Sequence, residues 1–333
     1  MRGADSYSTS GETPAQLTEG SVSPVRRSAP LPQGGVAVPF IVFTLIWGST
    51  WIVIRDQLGT VPPQWSVTYR FIIAAAAMFA IAAWKRAPLL LERRHWGVVA
   101  VIGVFQFCMN FNAVYVAEHF ITSGLVATVF ALLLIPNSLL AWALLGQRPG
   151  ARFLGCSAIA IAGIALLFLQ ELRRDQASDA AVLAGIGWTL VGIMGASVSN
   201  VLQATERLKQ IPVLTMLAWA MVAGAIADGT LALAVAGRPT FEWTWSYWIG
   251  LVYLAVLASA LCFSLYFPVV RKIGPGKAAY SSALVPIVAM ALSTLFEDYR
   301  WTPLAAAGAA LAIGGILLAL MSRRPPVPAP SAD

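Results

Sequence analysis

Long apolar runs of this sequence carry amides, hydroxyls and aromatic rings at helical spacing. Gln106 and Asn110 stand four apart and share a helical face. Ser197, Asn200 and Gln203 are spaced by three and form a stripe. Thr44, Trp47 and Trp51 fall on another stripe, with Thr50 beside it. Asn137 follows Pro136, whose missing N–H frees a backbone carbonyl. Ser259, Tyr266, Tyr280, Ser281 and Ser282 add hydroxyls further along. Such groups can hold a neutral, zwitterionic or partly apolar solute through hydrogen bonds and ring contacts. They suit a phosphorylated or strongly anionic solute less well, because paired Lys or Arg usually meets that charge. Each also has a packing reading. Ser and Thr in a helix can bond the i−4 carbonyl or let helices approach closely. An amide satisfies itself locally less easily, which favours Asn110 and Asn200 as pathway groups. Pro136 and Pro286 are kinks first and candidate hinges second.

Two charges lie within apolar runs. Arg70 sits about five residues from the end of its run, roughly 8 Å deep at 1.5 Å per residue. From that depth it can snorkel to the interface. Asp228 lies about eight residues in, roughly 12 Å by the same rise. It reads as a partner for Arg70, as a proton-coupling carboxylate, or as a sign that the helix ends early at Asp228-Gly229. No catalytic constellation accompanies these groups. The two histidines, His95 and His119, stand at the edges of apolar runs, and HExxH, GxSxG and Walker A patterns are absent. Ser and Thr have no mid-run His or Lys to activate them. Neither an enzyme nor a cofactor or metal site is expected, and ATP-driven transport by this chain alone is not expected.

The elements that position these residues follow from composition. Of 333 residues, 58% are hydrophobic and 11% charged, against about 25% charged in a soluble domain. Mean hydropathy is +0.74. These values exclude a soluble enzyme and a disordered chain and point to a multi-span membrane protein, with Trp collected at the interfaces. Cys108, Cys156 and Cys262 lie in apolar runs outside any CxxC pair and read as free buried thiols. Residues 1–35 are rich in Ser, Gly and Pro and read as a disordered cytoplasmic tail rather than a signal peptide. Beyond them, runs long enough to cross about 30 Å of hydrocarbon fall at 37–55, 65–84, 97–117, 121–145, 151–170, 182–204, 212–236, 246–269, 276–296 and 301–321. Lipid requires these to be helices, and Thr302-Pro303 reads as a helix start. With the N-terminus in the cytoplasm, 16 of the 22 Lys and Arg lie on the inner side, 5 on the outer side, and Arg70 within a span. This positive-inside bias places both termini in the cytoplasm. It also accounts for the net charge of +7 without a nucleic-acid partner.

The two halves resemble each other at an offset of about 150 residues. Ser123-Gly124 through Pro136 to Gly146-Gln147-Arg148 parallels Ile273-Gly274 through Pro286 to Phe296-Glu297-Asp298. A small-residue helix follows each, with Gly155 to Gly163 in the first half and Gly308 to Gly315 in the second. Five helices per half is an odd number, so the second half enters the membrane upside down, as in secondary transporters. Leu45-Ile46-Trp47-Gly48-Ser49-Thr50, Pro62-Pro63, Tyr69-Arg70-Phe71, the Tyr115 stretch leading into Ser123-Gly124, the Pro136 helix and Leu145-Gly146-Gln147 carry a further likeness. Through them the sequence resembles the EamA branch of the drug/metabolite transporter superfamily over about 38–321. In layout it is similar to the YddG-like amino-acid exporters. Gln147 replaces the family's usual Glu, which stands at Glu297 in the second half.

The resemblance implies an all-α integral membrane fold of ten transmembrane helices in two inverted repeats, 36–172 and 180–322, with a cytoplasmic tail over 323–333. It implies export of small metabolites, often amino acids, by a multi-pass protein of the inner membrane. Its expected partners are a small-molecule substrate and the lipid bilayer, with oligomeric state open. Import, or transport of drugs, sugars or nucleosides, remains an alternative, with a channel or a membrane enzyme more remote.

Overall fold

The computed structural model describes residues 34–146, 148–173, 178–203, 205–266 and 281–321. The tails expected before residue 34 and over 323–333, Gln147, Tyr280 and the basic residues Arg271, Lys272 and Lys277 lie outside the described residues. Ser282 is described for its backbone alone.

Among the described residues every regular element is helical. We label them α1 (Gly34–Asp56), α2 (Pro63–Trp84), α3 (Arg93–Ala117), α4 (Ser123–Leu145), α5 (Ala151–Leu172), α6 (Asp179–Gln203), α7 (Val213–Val235), α8 (Trp245–Tyr266), α9 (Ser281–Phe296) and α10 (Pro303–Met321). A single turn, Glu206–Lys209, joins α6 to α7. Among the described residues, eight helices, α1 to α8, are long and apolar enough to cross a membrane, and the described parts of α9 and α10 are shorter apolar helices. The chain is thus a multi-pass membrane protein, all-helical among the described residues. A helix lies within each expected range, while 267–269 and 276–280 lie outside the described residues.

Local sequence sets several of these ends. Pro63 opens α2 at its first position, where the missing N–H costs nothing. Thr302 caps α10, its Oγ1 accepting the N–H of Ala305 at 3.1 Å. Gly146, at φ 70°, closes α4 in the left-handed region and donates its N–H to the carbonyl of Trp142. Three helices depart from α geometry inside their length. Pro136 lacks the N–H that would bond the carbonyl of Leu132, and α4 carries a 3-10 turn at Ala131–Leu133. Helix α3 contains a π segment at Gly103–Met109, and α8 contains one at Tyr253–Leu261.

Helix pairs are made by small residues. Helices α5 and α10 pack chiefly on each other. A Cβ at Gly163 would collide with the backbone of Gly308 and Ala312, and one at Gly315 would meet the backbone of Ala160. The small-residue helices noted in each half therefore face one another. Gly103 of α3 lies on Ala220, Ala223 and Gly224 of α7, and Gly195 of α6 lies on Phe105 and Asn110 of α3. Gly48 of α1 and Gly124 of α4 receive Val288 and Met290 of α9. Such contacts suit a bilayer, where helices gain from close van der Waals packing rather than from exclusion of water.

Gly163→Ala is expected to lower the thermal unfolding temperature of the purified protein, with an overpacking cost of about 1–3 kcal/mol. Gly187 of α6 has open space around it. There, Gly187→Ala should leave stability unchanged or raise it by about 0.5–1 kcal/mol. Equal effects at both positions would contradict the packing described.

Candidate functional site

The π segments bring the first functional groups together. A π turn shifts the register of the backbone ladder and leaves carbonyls free for other donors. The carbonyl of Ala258, inside the α8 segment, accepts the indole N–H of Trp47 from α1 at 3.0 Å. Tyr253, which opens that segment, shares a hydrogen bond of 2.6 Å with Ser49. The Trp47 ring lies 5.0 Å from Tyr266, 5.4 Å from Phe43 and 5.5 Å from Phe263, centroid to centroid. Trp51, one turn on, contacts Phe130 of α4. The α1 stripe thus faces α8 and α4 and forms an aromatic wall.

The remaining sequence candidates divide by whether their polar atoms are satisfied. Thr50 donates to the carbonyl of Trp47 at 2.7 Å, which is the local packing bond. Asn110 donates to the carbonyl of Gln106 at 3.3 Å, and its Oδ1 is buried without a partner. Gln106 is buried beside it. Ser197 Oγ of α6 and Asn137 Oδ1 of α4 are likewise buried and unpartnered. Gln203 donates to Ser199 at 3.2 Å, while Asn200 is half-buried on the same helix. Ser259 is spoken for: it donates to the carbonyl of Leu254, five residues back, at 2.8 Å and accepts from Arg70. Pro136 and Pro286 lie within α4 and α9. Asn110, Asn137 and Ser197 therefore present free oxygens from α3, α4 and α6, with α6 packed against both α3 and α4.

The two charges within spans do not behave as the sequence expects. Arg70 does not snorkel. It is 2% exposed, its Nε donates to Ser259 Oγ at 3.2 Å, and its guanidinium lies 4.3 Å from the centroid of Phe111. Asp228 does not mark a helix end, since α7 continues to Val235. Asp228 is fully buried, and its Oδ1 accepts the Asn112 amide at 2.6 Å. Arg70 and Asp228 form no ion pair with each other among the described residues. Arg70 sits at the α8 π segment, and Asp228 faces the stretch of α3 just after its own. Asn112 is the residue that receives Asp228.

A further cluster was not singled out from the sequence. It closes the end of the bundle where α1 and α9 finish and α4 begins. Arg55 Nε lies 3.8 Å from Glu297 Oε1. Glu297 accepts the backbone N–H of Ser123 at 3.3 Å and the Ser123 hydroxyl at 2.6 Å. Arg55 also donates to the backbone carbonyl of Glu118. Glu297 therefore ties α9 to the N-terminus of α4, where backbone N–H groups favour a carboxylate. The sequence signals for this cluster are the Glu at 297 noted in the second half and the charged residues that end three apolar runs near Ser123-Gly124.

No group of three or more His, Cys, Asp or Glu that could hold a metal is found among the described residues. The arrangement can bind, orient and gate a small solute. Asn112→Leu is expected to lower thermal stability by about 1–3 kcal/mol, because it removes the amide donor of the buried Asp228 carboxyl and leaves only the weak Cys108 thiol beside it. The double variant Asn112→Leu with Asp228→Leu should recover much of that loss. A double variant no more stable than Asn112→Leu alone would show that the pair does not depend on this bond.

Comparison with known proteins fits this arrangement. The model of the EamA-like transporter family matches twice, at residues 36–169 and 180–321. Protein PagO of Salmonella typhimurium is 24% identical over 295 residues, covering 88% of this chain and 95% of the relative. A probable amino-acid metabolite efflux pump of Escherichia coli is 24% identical, covering 85% of this chain and 94% of its own length. The inner membrane transporter YedA of Escherichia coli, itself uncharacterized, is 28% identical over 75% of this chain and 79% of that protein. A solved crystal structure at 18% identity has a TM-score of 0.64, covers 87% of this chain and 98% of its own, and supports the fold alone. With two family matches spanning most of its length, and no enzyme among the family's activities, this chain is a membrane transporter and belongs to the EamA-like transporter family.

Proposed function

We propose that the protein is a secondary transporter with ten membrane-spanning helices in two inverted five-helix repeats, 36–172 and 180–322. It exports small metabolites across the inner membrane by alternating access, with both termini in the cytoplasm. The observation that carries this reading is the spacing of the two π segments. They open at Gly103 and Tyr253, the same 150-residue offset that relates Pro136 to Pro286. Pro63 and Val213, the first residues of α2 and α7, share that offset. An odd number of helices per repeat inverts the second repeat, and one chain then has two related ways of closing.

The pathway in this reading runs between α1, α3, α4 and α6, α8, α9. Its walls are Trp47, Trp51 and Tyr266 together with the free oxygens of Asn110, Asn137 and Ser197. Thr50, Gln106, Asn200, Gln203 and Ser259 belong to the same helices, and Tyr280 and Ser282 complete the set. Pro136 and Pro286 serve as the hinges. Rings and amides without a free fixed charge favour a zwitterion that carries an apolar side chain, so amino acids, aromatic ones included, are the leading substrate class. The printed function of the Escherichia coli efflux pump supports the same class. By the positive-inside rule the Arg55–Glu297 end is the outer one, so the form described here is closed to the outside.

Counterflow in proteoliposomes tests this function. Vesicles holding purified protein and a single unlabelled amino acid should take up trace labelled amino acid in a saturable, competable manner. Trp47→Ala should weaken the apparent affinity about tenfold, the effect of losing about 1.4 kcal/mol of solute binding. Absence of counterflow for every amino acid, from folded protein, would remove this substrate class.

A further inference from the structure

The closed end holds a carboxylate that the latch does not use. Glu118 follows directly after α3, and its residue is 0% exposed. Neither of its carboxylate oxygens has a hydrogen-bond partner, although Arg55 bonds its backbone carbonyl. The charged and titratable groups around it come from several elements. Arg55 projects from α1 and Arg70 from α2, Glu297 stands just past α9, and Tyr115 and His119 lie on its own segment. Arg55 is already shared with Glu297, and Arg70 is held by Ser259. A second ionised carboxylate beside Glu297 would therefore be buried with no donor of its own, which is strongly unfavourable.

We propose that Glu118 is a proton-binding site, occupied when this end of the bundle is closed and emptied when the end opens to water. The proton comes from solvent and converts the carboxylate to the neutral acid, and opening returns it to solvent. Burial pushes the Glu118 carboxyl well above its ordinary range, the Glu297 carboxylate adds to the rise, and Arg55 and Arg70 oppose it. Burial and the neighbouring Arg55 hold the His119 imidazole below its usual range, so it adds no compensating charge at neutral pH. The sign of the linkage follows. In an open state a hydrated Glu titrates near its ordinary value of about 4.3. The closed state binds the proton more tightly, so closure is fully supported below that pH and weakens as pH rises through the raised closed-state value. That the motion is a step of transport rests on the alternating-access reading. The proton site itself is tested with no solute present, so its failure and a failure of counterflow are separate results.

The test uses the full chain in lipid nanodiscs with Cys156→Ser, since Cys108 and Cys262 are buried. Spin labels at Thr60→Cys and Arg300→Cys, both exposed, report the separation of the two sides of this end by pulsed electron paramagnetic resonance. Between about pH 4 and pH 9, a window bracketing ordinary Glu titration, the short-distance population of the otherwise unmodified protein should fall as pH rises. Glu118→Gln, neutral at every pH, should hold the short distance throughout. Infrared difference spectra provide the second readout. In the Asp228→Asn background a protonated-carboxyl band should be present at neutral pH and titrate, and adding Glu118→Gln to that background should abolish it. A distance distribution that ignores pH, a Glu118→Gln protein that opens with pH like its parent, or an Asp228→Asn background whose carboxyl band is absent or survives Glu118→Gln would overturn the proposal. If Glu118→Gln yields no folded protein, the Asp228→Asn titration decides alone, and absence of a titrating carboxyl band there overturns the proposal.

Discussion

Hydrocarbon offers no partner to an unpaired backbone N–H or carbonyl, so wherever a helix departs from α geometry, protein must cover the freed groups. That constraint organises this molecule. Its two π segments, Gly103–Met109 and Tyr253–Leu261, and its 3-10 turn at Ala131–Leu133 all face other helices. Trp47 takes the carbonyl of Ala258, and Ser259 reaches back five residues to Leu254. Gly195 comes up close to the carbonyl of Phe105. Because each irregularity needs a neighbour, the α3 segment packs on α7 and α6, and the α8 segment packs on α2 and α1. A bend placed there can change shape without exposing backbone to lipid, which the proposed alternating access would need.

The same medium penalises charge, and each buried ion meets it differently. Arg70 is held by one hydroxyl and by the faces of Phe111 and Phe71. Asp228 takes a single amide. Glu297, at the rim, joins Arg55 and the start of α4, which links three helices through one carboxylate. The first two are built into the interior. The third is paired with Arg55, whose side chain is 42% exposed, so water reaches one side of that contact. A rim less buried than the interior is what the proposed alternating access would use.

The helices were legible because hydropathy and length leave few alternatives in a bilayer, eight of them being long enough to span it among the described residues, and Thr302-Pro303 and Gly146 marked ends by capping chemistry. The two small-residue helices were legible as a glycine pattern, but their packing on each other was not. The π segments were not, because a single extra residue per turn leaves hydropathy unchanged over seven to nine residues. Arg70 was read as snorkelling from its depth alone. Depth does not say whether a face meets lipid or protein, and here Phe111 and Ser259 cover it. Asp228-Gly229 looked like a helix end, yet in this medium the helix is the cheapest state for Gly as well, and α7 runs on. Asn112 carried no signal of its own in the sequence. The π segment at Gly103–Met109 shifts the later turns of α3, and Asn112 meets Asp228 of α7. Glu118 and Glu297 lie 179 residues apart in sequence, and only the fold brings them to one end.

Accessibility of a single pathway position from the two faces of the membrane tests the central claim most directly. Thr50→Cys, in the Cys156→Ser background, would be exposed to a membrane-impermeant thiol reagent from each side of sealed vesicles in turn. The account predicts labelling from the face opposite Arg55 and Glu297, and labelling from their own face once Glu297→Ala has broken the rim, with access from the opposite face reduced in step. Equal labelling from both faces in the parent protein, or no change on breaking the rim, would contradict a transporter that opens one end at a time.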